Sequence, residues 1–178
     1  QRQMCIRDRL NAAGVLTLLM TRGVDMQKAA EALSEFMGVR RRFDLVGEAD
    51  GVTILDDYAH HPNELHALLQ AVRLMHYRRV ICAFQPHTYS RTKALFQSFV
   101  DELRTADQVV LADIYAAREQ NTVGVSSQEL AAEIPGAVYC PSLQGVTAYL
   151  RENAQPGDII LTVGAGDIYK AGEALLKE

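Results

Sequence analysis

Three short segments of this chain are almost uninterruptedly apolar: ICAF (81–84), VVLA (109–112) and IILTV (159–163). A strand that faces water on one side alternates apolar with polar residues. These segments do not, so they read as strands buried on both faces. Helix-length amphipathic stretches lie between them, and strands joined by such stretches imply right-handed βαβ crossovers. The implied fold class is α/β, a Rossmann-like, mostly parallel sheet with helices on both faces.

The elements fall in order from Phe43 onward. Strands are predicted at 43–47 and 52–56, close enough to form a hairpin around Asp50-Gly51, a turn dipeptide. Pro62 suits a first helical position, and the helix after it would bury Leu65, Leu68, Leu69, Val72 and Met75. A strand at 79–84 precedes a helix capped by Ser90, with Leu95, Phe96, Phe99, Val100 and Leu103 inward. A strand at 108–114 comes next. Ser126-Ser127-Gln128-Glu129 matches a capping box opening a helix to about 133. A strand at 137–139, a helix at 143–151 and a strand at 158–163 complete the sheet. Asp167 would cap a last helix that turns Ile168, Ala171 and Leu175 to one side.

The first forty residues read differently. Residues 10–20 and 25–37 form two short predicted helices around Arg22-Gly23, with Met26, Ala29, Ala30, Leu33 and Phe36 or Met37 at helical spacing, Asp25 as N-cap and Gly38 as stop. The basic run Arg40-Arg41-Arg42 then breaks the pattern, which places a boundary at 38–43. Residues 1–9 (QRQMCIRDR) have neither a signal-peptide core nor a hydrophobic period continuous with residues 10–20, and they are read as a non-native leader. The resulting division is 1–9, 10–38 and 39–178.

Charge and composition exclude several classes. Eighteen Lys and Arg against 22 Asp and Glu give a net charge of −4, with no basic excess to wrap a nucleic acid. No apolar run approaches the roughly 20 residues that span a bilayer. Three scattered cysteines (Cys5, Cys82, Cys140) are too few for a disulfide framework and fit a reducing, cytoplasmic setting.

Open parallel sheets bind ligands outside the carboxyl ends of their strands, so the exits are where chemistry is expected. Those exits are 57–62 (Asp57-Tyr58-Ala59-His60-His61-Pro62), 85–91 (Gln85 to Arg91), 115–119 (Tyr115 to Glu119) and 164–167 (Gly164 to Asp167). Polar groups concentrate on this one edge, and the opposite loops look bland. Asp56-Asp57 with His60 and His61 invites a metal, but adjacent histidines point apart and no second ligand group stands at metal spacing, so no metal site is assigned. A carboxylate at a strand end suits ribose hydroxyls better. Gly164-Ala165-Gly166 is half of a dinucleotide fingerprint, with Tyr169 where the last glycine belongs; a tight strand-to-helix turn explains it more simply. Arg91 in the first turn of a helix is electrostatically odd and, beside His87, suits a carboxylate or phosphate gripped by paired donors. Arg40–Arg42 could be a solvated patch or could reach a polyphosphate.

Taken together, RRFDLVGE (41–48), DDYAHHPNEL (56–65), FQPHTYSRT (84–92), ADIYAARE (112–119), GVSS (124–127) and PGDIILTVGAGDIY (156–169) resemble the carboxyl-terminal domain of the Mur ligases. The motifs keep family order and spacing over residues 10–178; FQPHTYSRT and DIYAARE favour the L-alanine-adding branch over murein-tripeptide recycling. The resemblance implies a cytoplasmic, ATP- and Mg2+-dependent ligase of peptidoglycan precursor synthesis. In it the lactyl carboxylate of UDP-N-acetylmuramate takes the γ-phosphate of ATP, and the amine of L-alanine displaces phosphate from the acyl phosphate. It further implies a UDP-sugar domain and a central P-loop ATPase domain as partners within the same enzyme. Residues 10–38 would be the end of the central domain, and the phosphate loop and magnesium ligands would lie outside this chain, which alone would be inactive. By position, Asp57 would accept the ATP ribose hydroxyls, Arg42 would contact the nucleotide and Asn11 would lie near the adenine. Tyr58 and His60 would line the junction of sugar and amino acid, with His60 as the catalytic residue, and His87 and Arg91 would hold the L-alanine carboxylate. Thr88 departs from the arginine of many relatives, and Arg7-Asp8 from a His-Asn pair. A stand-alone nucleotide-binding module, a sister murein-peptide ligase and a metal-dependent phosphoesterase are the competing readings.

Overall fold

The apolar runs assemble into a six-stranded sheet in a computed structural model that describes residues 6–35 and 39–177. Its strands are β1 (Asp44–Ala49), β2 (Val52–Asp57), β3 (Arg79–Phe84), β4 (Gln108–Leu111), β5 (Val138–Tyr139) and β6 (Asp158–Val163), in spatial order β1-β2-β6-β3-β4-β5. All neighbours run parallel except β1 and β2, which form the predicted hairpin. Asp50 and Gly51 both adopt positive φ, +51° and +76°, the left-handed pair that a tight hairpin between right-twisted strands requires.

Helices cover both faces. On one face, α3 (Pro62–Arg73), α5 (Phe96–Leu103) and α6 (Ser127–Ala132) bury Leu65, Leu69, Val72, Phe99, Leu103 and Leu130 against Leu55, Cys82, Phe84, Leu111 and Leu161. On the other, α7 (Leu143–Asn153) and α8 (Tyr169–Leu175) pack Val146, Leu150, Ile168 and Ala171 on Ile54, Ile81, Ala83, Val110 and Ile160. Each fully buried aliphatic side chain contributes about 1.5–3 kcal/mol. The chain leaves the adjacent strands β3 and β6 toward opposite faces, and such a reversal opens a crevice at the carboxyl edge.

Several local expectations are corrected. Met75 is 46% exposed, because α3 ends at Arg73 and the helical spacing that would turn Met75 inward does not continue past it. The helix expected from Ser90 is two: α4 (Tyr89–Ala94) begins after Thr88 and breaks at Leu95 before α5. Strand β4 stops at Leu111, three residues early, where the chain turns into the exit. Asp167 does not cap α8; Ile168 holds that position without a side-chain bond.

The structure separates into two units at residues 38/39. The first holds α1 (Ile6–Thr21) and α2 (Met26–Glu35). Helix α1 begins four residues ahead of the expected start, within the segment read as a leader. Gly23 takes a positive φ of +72° after α1, and the Asp25 carboxylate accepts the N–H groups of Gln27 and Lys28, capping α2. Leu10, Val15, Leu18 and Met20 of α1 are exposed. The expectations for Phe36, Met37 and Gly38 lie outside the described residues. Among the described residues no helix is long and apolar enough to cross a membrane.

Candidate functional site at the carboxyl edge of the sheet

The three arginines entering β1 have different fates. Arg40 is exposed and lies 3.7 Å from Glu173. Arg41 turns inward: Nε donates to Asp56 Oδ2 at 3.0 Å, and its two terminal nitrogens donate to Gly166 O at 3.1 Å and Gly164 O at 2.6 Å. Its guanidinium lies 5.0 Å from the Tyr58 ring centre and 4.5 Å from that of Tyr169, within cation–π range. Arg42 turns outward, 5.5 Å from the Tyr58 ring and 3.9 Å from Glu64. Arg41 and Phe43 flank it with left-handed φ of +61° and +51°, a conformation that costs a non-glycine residue roughly 1–2 kcal/mol. The run expected as a patch or a polyphosphate contact is therefore split, with Arg41 committed to the interior.

Asp56 and Asp57 end β2 and point to opposite faces, as neighbours on a strand must. Burial pushes the Asp56 carboxyl up, and hydrogen bonds from Thr162 and Arg41 pull it partly back. The Asp57 carboxylate accepts the N–H of Phe43 and of Ala59, each at 2.8 Å, so it braces the entry to β1 as well as its own turn. His61 is the N-cap of α3: its Nδ1 accepts the Asn63 N–H, and Glu64 accepts the N–H groups of His60 and His61 in return. That occupies His61 in a capping box and removes it from the metal reading.

His60 and His87 face the same space with ring centres 6.0 Å apart. His60 Nδ1 lies 3.0 Å from the Tyr58 carbonyl; a carbonyl only accepts, so Nδ1 carries the proton and Nε2 the lone pair in the neutral ring. His87 Nδ1 lies 3.3 Å from an Arg91 terminal nitrogen; a guanidinium only donates, so here Nε2 carries the proton. Burial, then the charges of Arg91 and His60, hold His87 below the ordinary imidazole range, with Glu119 opposing. On its other side His87 stacks on Tyr115, centres 5.7 Å apart and planes at 16°. The Glu119 carboxylate accepts both the N–H and the hydroxyl of Ser90, and those bonds hold it below the usual carboxylate range. This places a negative group at the start of α4, and with α4 only six residues long Arg91 also belongs to its last turn.

The Gly164-Ala165-Gly166 segment is a closed turn. A Cβ on Gly164 would come within 2.6 Å of the Gln85 carbonyl, and one on Gly166 would collide with Gln85 Oε1 and come within 2.8 Å of Tyr115. The Gln85 amide accepts the N–H groups of Asp167 and Ile168 and donates to Asp167. Those N–H groups are thus spent on Gln85, as the tight-turn reading expects.

The structure thus brings Arg42, Asp57, Tyr58, His60, His87 and Arg91 to one edge of the sheet. Asn11 lies on α1 of the first unit and is exposed. The sequence marks Arg41 only as part of the basic run, and Gln85, Tyr115 and Glu119 only as members of the strand exits; Gln85 carries a usable signal, a polar amide directly after a buried apolar strand. The opposite edge is less bland than expected: Arg78 and Arg79 grip the fully buried Asp158 carboxylate at 3.0 and 2.8 Å. Among the described residues no group of three His, Cys, Asp or Glu could hold a metal ion.

The fold and this edge define an α/β domain with its polar groups gathered outside the parallel strands. The family model for the Mur ligase glutamate ligase domain matches residues 41–166, and the chain belongs to the Mur ligase family. It is 46% identical over 172 residues to the UDP-N-acetylmuramate–L-alanine ligase of Caldanaerobacter subterraneus subsp. tengcongensis, covering 94% of this chain and 37% of that protein. It is 47% identical over 172 residues to the enzyme of the same name from Agathobacter rectalis, covering 94% of this chain and 38% of that protein. Among solved structures, the UDP-N-acetylmuramate–alanine ligase of Thermotoga maritima superposes with a TM-score of 0.76 at 27% identity, over 97% of this chain and 37% of that one. The chain thus spans little more than a third of the length of the relatives it matches.

Proposed function

We propose that this chain is the C-terminal part of a cytoplasmic, ATP-dependent ligase that joins L-alanine to UDP-N-acetylmuramate through an acyl phosphate in peptidoglycan precursor synthesis. The observation that supports the reading best is the common edge on which Arg42, Tyr58, His60, His87 and Arg91 stand, gathered from three stretches far apart in sequence. In this reading Arg42, Asp57 and Asn11 serve the nucleotide, Tyr58 and His60 the junction of sugar and amino acid, and His87 and Arg91 the alanine carboxylate. Arg91 supplies the fork of donors a carboxylate takes, and the Nε2 proton of His87 adds another.

His60 then has a chemical task. The amine of alanine is a nucleophile only after its ammonium loses a proton, and the Nε2 lone pair of His60 is of the kind that takes one. The amine attacks the acyl carbon, the C–N bond forms, and the bond to phosphate breaks as inorganic phosphate leaves. Closing such a site also excludes the water that would hydrolyse an acyl phosphate. Bound magnesium would offset phosphate charge; the described residues do not fit its site, so its ligands are assigned to the central ATPase domain, and no role here passes through it.

A chimera tests the proposal: the C-terminal 37% of the Caldanaerobacter ligase is exchanged for this chain, and phosphate release is monitored. Release that requires UDP-N-acetylmuramate, L-alanine and ATP together is expected. A folded chimera that binds ATP but releases no alanine-dependent phosphate refutes the reading. In an active chimera, Arg91→Ala raises the KM for L-alanine roughly 10- to 100-fold, the equivalent of a lost charged hydrogen bond. Unchanged kinetics would remove Arg91 from the site.

A further inference from the structure

We propose that Arg41 is a positioning residue that sets the orientation of Arg42 toward the nucleotide and steadies the Tyr58 ring that both arginines approach. The inference rests on the functional reading above and gives Arg41 the work of shaping a site into which its own side chain does not point. Its guanidinium bonds to three groups on two elements, Asp56 at the end of β2 and the carbonyls of Gly164 and Gly166 after β6. The rings of Tyr58 and Tyr169 lie 5.0 and 4.5 Å from it. Its backbone is held too: the N–H donates to Asp44 Oδ2 at 3.1 Å, and the carbonyl accepts the Tyr58 N–H at 2.8 Å.

Arg42 therefore sits on a short arch with both feet fixed. One foot is Arg41, in left-handed conformation. The other is Phe43, also left-handed, whose N–H is bound by Asp57. Strain of this kind persists only where the surroundings over-determine it, and the bonds of Arg41 supply that constraint on one side. With the arch held, the Arg42 guanidinium lies 5.5 Å from the centre of the same Tyr58 ring that Arg41 approaches to 5.0 Å. A lysine at position 41 could meet Asp56 but lacks the planar fork that reaches two carbonyls at once and offers a flat cation to two rings.

The test uses the active chimera described above with Arg41→Lys, Tyr169→Leu and Arg42→Ala. Arg41→Lys is expected to raise the KM for ATP about tenfold, because ångström-scale misplacement of a binding group costs that much or more. The melting temperature falls by several degrees as the Gly164 and Gly166 carbonyls lose donors, and the KM for L-alanine rises by a clearly smaller factor than the KM for ATP. Tyr169→Leu moves the KM for ATP in the same direction by a smaller factor. A role that is only structural would instead shift the KM for ATP and the KM for L-alanine by the same factor, and that pattern overturns the proposal. If Arg42→Ala raises the KM for ATP and Arg41→Lys leaves it within about twofold, the Arg41 inference alone falls. If Arg42→Ala has no effect, the nucleotide role of Arg42 falls and takes this inference with it.

Discussion

Gln85→Leu should loosen the carboxyl edge by a calculable amount. The Gln85 side chain is 6% exposed. Its Oε1 accepts the Asp167 N–H at 2.9 Å and the Ile168 N–H at 3.1 Å, and its Nε2 donates to Asp167 Oδ1 at 3.1 Å. Leucine keeps nearly the same volume, so no cavity opens to admit water, and both N–H groups lose their acceptor. An unsatisfied buried donor costs about 1–3 kcal/mol. Ile168 is fully buried and belongs at the upper end; Asp167 is half-buried and belongs at the lower. The expected loss is about 2–4 kcal/mol, or a melting temperature lowered by roughly 4–15 °C at this chain length. Urea unfolding of the 178-residue chain, monitored by far-ultraviolet circular dichroism, measures it. A loss below about 0.5 kcal/mol, the scatter of neutral surface changes, would show that the turn does not depend on Gln85.

Gly166→Ala pushes on the same amide and on Tyr115, so it should cost about 1–3 kcal/mol, and less in a Gln85→Ala background; strict additivity in the double-mutant cycle would refute the shared contact. Burial pushes the Asp158 carboxyl up, but hydrogen bonds from Arg79, Arg78 and the Gln155 N–H outweigh it and leave Asp158 below the usual range. Its ionised form therefore stabilises the fold above the unfolded carboxylate pKa of about 3.9, and that contribution is lost as pH falls through the lower folded value. Asp158→Asn should destabilise at pH 7 by about 1–3 kcal/mol, less than for a fully buried pair because both arginines reach water, and the deficit should shrink below about pH 4; a pH-independent deficit would refute the assignment. By nuclear magnetic resonance His87 should titrate below the ordinary value of about 6.5, and Arg91→Gln should move it up only part of the way, since burial is the larger cause; a full return would make the charge dominant. Leu69→Ala, at a position 1% exposed, should cost about 2–5 kcal/mol, whereas Met75→Ala should fall within about 0.5 kcal/mol of the parent.

What could be read in the sequence was set by burial. ICAF, VVLA and IILTV announce strands covered on both faces because only Thr162 interrupts their apolar run, and the capping box at Ser126 announces a helix start because its two bonds are local. The gathering of histidines and arginines at strand exits was visible for a topological reason: parallel strands put their carboxyl ends on one edge. The misses are the non-local choices. Nothing in RRR says which arginine turns inward, since that depends on Asp56, Gly164 and Gly166, which lie far along the chain. The break at Leu95 has no glycine or proline to mark it, and apolar spacing runs through it unchanged. Asp167 has the composition of a cap, yet α8 takes Ile168 as its N-cap and the Asp167 carboxylate accepts from the Gln85 amide instead.

The residues at this edge divide by what their polar atoms already do. His61, Glu64, Gln85 and Arg41 spend their donors and acceptors on backbone groups or buried partners, and so they hold turns in place. His60 and His87 each commit one ring nitrogen, to a carbonyl in one case and a guanidinium in the other, and the two commitments leave opposite protonation patterns on the remaining nitrogens, one lone pair and one N–H. A zwitterionic amino acid has the matching pair of needs, an ammonium to be deprotonated and a carboxylate to be held. The partner of each first nitrogen, more than the presence of two histidines, is what would orient such a substrate. Replacing Arg91, which fixes the His87 tautomer, should therefore disturb substrate binding through the imidazole as well as through the lost charge, so Arg91→Lys, with its point charge and no fork, should restore only part of the alanine affinity lost in Arg91→Ala; full recovery in the chimera would show that charge alone suffices.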